Sequence, residues 1–106
     1  MIKQFNAEEF RAAVQNSDKP LIVDFYADWC VPCKMMAPIV SQVENENRDS
    51  ILFGKINIEE NTDIALEYRV LSIPTLLFIK NGEVLGRIEG AVSKSAVDQK
   101  IEKYLK

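Results

Sequence analysis

The stretch Leu21-Ile22-Val23-Asp24-Phe25-Tyr26 constrains this chain more than any other. It is β-branched, aromatic and apolar almost throughout. A strand without a polar face must be covered on both sides, as the central strand of a parallel sheet is covered by helices. That demand points to a layered α/β architecture. Asp24 is the anomaly in the run, either a solvated carboxylate at a strand edge or a buried one among apolar neighbours.

The rest of the chain supplies the covering layers. Ile2 to Phe5 predicts a short first strand, and Asn6 with Glu9 three residues on predicts a capped helix over Ala7 to Gln15, with Phe10 and Val14 facing inward. After Pro20 comes the central strand. Met35, Met36, Ile39, Val40 and Val43 then recur at helical spacing up to about Asn47, with Pro38 as an expected kink. Ile51 to Ile58 returns to strand, placing Phe53, Lys55 and Asn57 on one face and Gly54, Ile56 and Ile58 on the other. A short helix is expected over Thr62 to Tyr68. Ile73-Pro74 breaks the chain before a strand over Thr75 to Lys80, and Asn81-Gly82 before Glu83 to Ile88 predicts a hairpin. Ser93 to Lys106 closes the chain as a helix, with Val97, Ile101 and Leu105 on one side and Ser93 or Ser95 at its cap. The order β-α-β-α-β-α-β-β-α implies a three-layer α/β/α sandwich, a central mixed five-stranded sheet flanked by four helices. At 106 residues it fits a single domain, residues 1–106, since two halves would each be too small to bury an adequate core.

Charge and composition exclude several function classes. Thirteen basic and sixteen acidic residues are mixed along the chain, so no basic stripe offers itself to nucleic acid. No apolar run approaches a bilayer span, and Met1 to Asn6 lacks the apolar core of a signal peptide, so the expected address is cytoplasmic, with no membrane partner. The chain has no histidine, which removes Cys-His and Ser-His nucleophiles and the commonest metal ligand.

Its two cysteines stand together in Trp29-Cys30-Val31-Pro32-Cys33-Lys34. A tetrahedral zinc site needs two more Cys or His ligands, and none is left, so no metal is expected. A structural cross-link would close a loop of four residues and stabilise by roughly 2 kcal/mol before strain, against about 3 kcal/mol for a 15-residue loop. A redox pair gives each neighbour a purpose. Cys30 follows a strand and opens a helix, where unpaired N–H groups and the helix dipole favour thiolate over thiol. Pro32 fits a first helical turn, where its missing N–H costs no bond, and Cys33 lies one turn in, deeper and placed to attack a mixed disulfide. A free thiol of pKa about 8.5 is only a few per cent ionised at pH 7, so a lowering by one to two units would suffice.

With these residues the chain resembles the thioredoxin family, and the likeness runs end to end. Val23 to Lys34 resembles the family's active-site block and Lys55-Ile56-Asn57 its third strand. Ile73-Pro74-Thr75 is similar to its proline loop, Asn81-Gly82 to its hairpin, and Gly90-Ala91 to the turn before its last helix. Val31 departs from the family's usual glycine, adding apolar surface between the cysteines.

The resemblance implies the thioredoxin fold and a protein-disulfide reductase without a bound cofactor. Cys30 would be the nucleophile and Cys33 the resolving thiol, the two forming the redox-active disulfide. Asp24 would be the buried carboxylate behind Cys33 and Lys55 the partner that moderates its charge. Pro74 would be cis and face the sulfurs, exposing the Ile73 backbone to an extended substrate chain. Trp29, by itself a plain core aromatic or a shield for the pair, would join Val31, Pro32, Ile73, Pro74, Gly90 and Ala91 in a docking patch. Met35 and Met36 are read as helix packing. The implied partners are protein disulfides and a separate thioredoxin reductase, since the chain has no glycine-rich nucleotide fingerprint; the chain is expected to be a monomer. An oxidant or isomerase on the same fold and a binding module with incidental thiols are the rival readings.

Overall fold

The structure, a computed structural model, describes residues 2–106. Strand β2 (Leu21–Tyr26) is central, as its apolar run requires, in a five-stranded sheet of order β1-β3-β2-β4-β5. Strands β1 (Lys3–Phe5), β3 (Leu52–Asn57) and β2 run parallel. Strand β4 (Thr75–Lys80) is antiparallel to β2, and β5 (Glu83–Glu89) antiparallel to β4, so the sheet is mixed. The turn joining β4 to β5 has positive φ at both Asn81 (53°) and Gly82 (79°), the geometry that an Asn-Gly pair accepts without strain.

Helix α1 (Ala7–Asn16) begins with the expected capping box: Asn6 Oδ1 accepts from Glu9 N–H at 2.8 Å, and Glu9 Oε1 accepts from Asn6 N–H at 3.0 Å. Helix α2 (Val31–Asn47) takes Cys30 as its N-cap and continues through Pro38. Helix α3 (Thr62–Glu67) ends one residue earlier than expected, because Arg69 turns to φ 54° and breaks the helical path. Helix α4 (Lys94–Leu105) is capped by Ser93, whose hydroxyl accepts from Ala96 N–H, which decides between the two candidate serines.

Each face of the sheet is sealed by two helices. Ile22, Phe53, Leu76 and Phe78 pack with Met36, Val40 and Val43 of α2 and Val97, Ile101 and Leu105 of α4. On the other face Leu21, Val23, Phe25, Ile56 and Leu77 pack with Phe10 of α1 and Ile64 of α3. A fully buried aromatic such as Phe10 or Phe25 is worth about 3–5 kcal/mol against alanine.

One packing expectation is corrected. Met36 is fully buried, and its sulfur accepts the Val92 N–H at 3.3 Å, whereas Met35 is 62% exposed. The reason is angular: residues 36, 40 and 43 share the sheet-facing side of α2, while 35 shares the outer side with Val31.

Candidate active site

The site forms where β2 gives way to α2. Asp24 and Tyr26 project from the α2 side of β2, the same side as Ile22. The chain leaves the sheet at Ala27, whose carbonyl accepts the Cys30 N–H at 3.2 Å. Cys30 then occupies the N-cap in extended conformation, and its Sγ accepts the Cys33 N–H at 3.2 Å. An N-cap residue ordinarily meets these orphan amides with an oxygen; here a sulfur does so.

Cys30 and Cys33 are joined in a disulfide, with Cα atoms 5.2 Å apart. Cys33 is not the deeper of the two, as the sequence led us to expect. Both are buried, Cys30 at 3% and Cys33 at 6% exposed. Ala27, Tyr26, Ile58 and Ile73 pack around the pair. Trp29 is not part of this cover: it stands 63% exposed, a core residue in neither apolar cluster, and Val31 beside it is 64% exposed. Ile58, the first residue past β3, was not singled out in the sequence, since its place against the sulfurs depends on strand register.

The Ile73-Pro74 peptide bond is cis, and the Ile73 carbonyl oxygen lies 3.8 Å from Cys30 Sγ. Pro74 itself is buried, and its carbonyl accepts the Gly90 N–H at 2.8 Å. Gly90 has φ +91°, a region that side chains disfavour, and open space lies where its Cβ would be. The Met36–Val92 contact ties this same segment to α2. Val31, Pro32 and Ala91 are exposed and Ile73 half-buried; Trp29, Val31 and Pro32 flank Cys30 along the chain, the Ile73 carbonyl approaches its sulfur, and Gly90 is hydrogen-bonded to Pro74.

Behind Cys33 is a cleft of about 190 Å³ lined by Asp24, Tyr26, Asp28, Cys33, Lys34 and Lys55 among others. Asp24 is 7% exposed, which rules out a solvated strand-edge carboxylate, and its Oδ1 accepts no hydrogen bond among the described residues. Burial pushes its carboxyl up to about 7, and the Lys55 charge works in the opposite direction. Lys55 is opposite Asp24 in the β2–β3 register, but its Nζ rests 5.4 Å from the centre of the Tyr26 ring. Tyr26 is held in turn by its hydroxyl, which donates to Gln4 Oε1 at 2.9 Å. Sequence reasoning missed Tyr26 and Gln4; alternation along β2 places Tyr26 on the Asp24 face and was the available signal. The larger open groove between β1 and α1 shares no residue with this site. Among the described residues no group of three or more His, Cys, Asp or Glu could hold a metal ion.

This geometry brings a disulfide-bonded cysteine pair, an anion-favouring helix start and a proton-holding carboxyl into one place. The comparisons with known proteins agree. A family model described as Thioredoxin matches residues 1–103. The chain is 41% identical to a thioredoxin of Porphyra purpurea over 98% of this chain and 97% of that one. It is 42% identical to a chloroplastic M-type thioredoxin of Spinacia oleracea, covering 98% of this chain and 58% of the relative. A chain solved in work on the thiol resolving mechanism of yeast mitochondrial 1-Cys peroxiredoxin, via glutathione and thioredoxin systems, superposes with a TM-score of 0.87 at 35% identity, covering 96% of this chain and 94% of that one. No helix among the described residues is long and apolar enough to cross a membrane. The chain belongs to the thioredoxin family and is a thiol–disulfide oxidoreductase.

Proposed function

We propose that this chain, acting as a monomer and as one domain over residues 1–106, reduces protein disulfides by dithiol–disulfide exchange. The Cys30 thiolate attacks one sulfur of a partner disulfide and expels the other as a thiolate, leaving a mixed disulfide on Cys30. The Cys33 thiolate then attacks Cys30 Sγ, closing the Cys30–Cys33 disulfide and releasing the partner reduced. The pair of electrons moves from the two thiols to the partner. Re-reduction falls to a separate thioredoxin reductase, in a cytoplasmic or similarly reducing compartment.

The observation that carries this assignment is the Cys33 N–H aimed at Cys30 Sγ from the first turn of α2. An amide donor and the positive end of the helix dipole favour the anion on Cys30 and offer Cys33 nothing comparable. Burial does not separate the two sulfurs, so the choice of nucleophile rests on this donor. Asp24 opens onto the same cleft as Cys33, and a carboxyl that ionises near 7 takes and returns a proton at neutral pH. Lys55 tempers the cost of ionising it. The Ile73 carbonyl beside Cys30 supports pairing of an extended partner segment across the cis proline, with Trp29, Val31, Pro32, Pro74, Gly90 and Ala91 around it.

The test is reduction of insulin disulfides driven by NADPH and a thioredoxin reductase, together with Cys33→Ser. The wild type should turn over, and the variant should stop after one event with the partner held on Cys30. Failure of Cys33→Ser to trap a partner while Cys30→Ser traps one on Cys33 would reverse the assigned roles, and a wild type that oxidises dithiols but does not reduce insulin would favour the oxidant reading.

A further inference from the structure

We propose that Arg87 is a positioning residue for partner binding: its guanidinium fork holds the start of the segment that presents Ile73 and Pro74 to the partner. The inference rests on the reading of that segment as the partner-pairing edge.

Helix α3 ends at Glu67, where the Arg69 N–H donates to the Leu66 carbonyl at 3.1 Å and the Val70 N–H to the Ala65 carbonyl at 2.8 Å. Arg69 then adopts φ 54°, a conformation that a non-glycine residue disfavours and that neighbouring structure must hold in place. The backbone closes that turn itself, and the far edge of the sheet adds a second hold. Arg87 Nη2 donates to the Tyr68 carbonyl at 2.8 Å and Nη1 to the Arg69 carbonyl at 3.1 Å. A planar guanidinium can serve two consecutive carbonyls in this way, and an ammonium on a flexible stem cannot do so as well.

The other end of the segment is hydrogen-bonded by the residue just past that strand. Three residues beyond Arg87, the Gly90 N–H donates to the Pro74 carbonyl at 2.8 Å. Between the two anchors, the Thr75 hydroxyl donates to the Ser72 carbonyl at 2.6 Å. Arg87 in β5 and Gly90 just past it therefore hydrogen-bond the two ends of residues 69–74, and the Ile73 carbonyl within that span lies 3.8 Å from Cys30 Sγ. Release of the Arg87 end leaves the sulfurs and α2 untouched but lets the pairing edge wander, so that a partner must order it on binding.

The discriminating experiment compares two disulfides. Insulin needs the pairing edge; 5,5′-dithiobis(2-nitrobenzoate) is too small to use it. For Arg87→Met we expect KM for insulin to rise about fivefold, about 1 kcal/mol at 1.4 kcal/mol per tenfold, with kcat held. The rate with the small disulfide should stay at the wild-type value, and Arg87→Lys should fall between wild type and Met. If Arg87→Met does not fold, the Lys variant is read by the same split. An unchanged insulin KM, or an equal loss on both disulfides, would overturn the inference while the proposed function stands. A wild type that reduces the small disulfide but not insulin would defeat the pairing edge and this inference with it.

Discussion

The two faces of strand β2 differ in what they are built to do. On one, Leu21, Val23 and Phe25 are buried against α1 and α3 among Phe5, Phe10 and Ile56, in an unbroken apolar column. On the other, Ile22 is packed equally well, but the next two positions are Asp24 and Tyr26. The first face is built for cohesion throughout. The second gives up cohesion at Asp24, ahead of the sulfurs, and installs a carboxyl there instead. Asn57, a buried polar residue at the same end of β3, sharpens the contrast. Its Oδ1 accepts the Glu59 N–H at 2.8 Å and its carbonyl accepts from Asn61 Nδ2 at 3.0 Å, so it shapes a turn. Asp24 has an oxygen without such a partner among the described residues, the arrangement expected where a group is kept for chemistry.

The contrast can be broken from either side. The largest effect should come from the cohesive face: Phe25→Ala is expected to cost about 3–5 kcal/mol in urea unfolding. Asp24 should still ionise near neutrality in the folded fraction. On the other face, Asp24→Ala should gain stability. The open chain loses the carboxyl proton near pH 4 and the fold near 7, so across that window the folded state binds more protons and wild-type stability falls as pH rises. Above pH 7 the penalty is constant, at most about 4 kcal/mol. Unfolding curves at pH 4, 6 and 8 should therefore diverge between wild type and Asp24→Ala, and insulin reduction by the variant should be slower at neutral pH. A parallel pair of stability profiles would contradict the assignment. The smallest expected effect is that of Lys55→Met: its ammonium lowers the Asp24 pKa, so its loss should move the acid limb of the pH–rate profile upward.

Much of this was legible in the residues. The run Leu21 to Tyr26 dictated a strand covered on both sides, and that demand alone set the layer order. The Asn6–Glu9 box and Asn81-Gly82 placed their elements because each acts over a few residues. What could not be read depended on segments distant in the chain. That Ile58 and Ile73 would pack around the sulfur pair depends on where those distant segments fall in the fold. That Lys55 would rest over Tyr26, itself pinned by Gln4, needs three strands in place. Met35 and Met36 look alike in sequence and differ only by where the sheet lies under α2.

The most direct test of the account is the titration of the Asp24 side-chain carboxyl in the disulfide form, followed by carbon-13 chemical shift. Desolvation by burial predicts a midpoint of about 7, lower than burial alone would give because of Lys55. A midpoint near 4, that of an ordinary exposed aspartate, would contradict it.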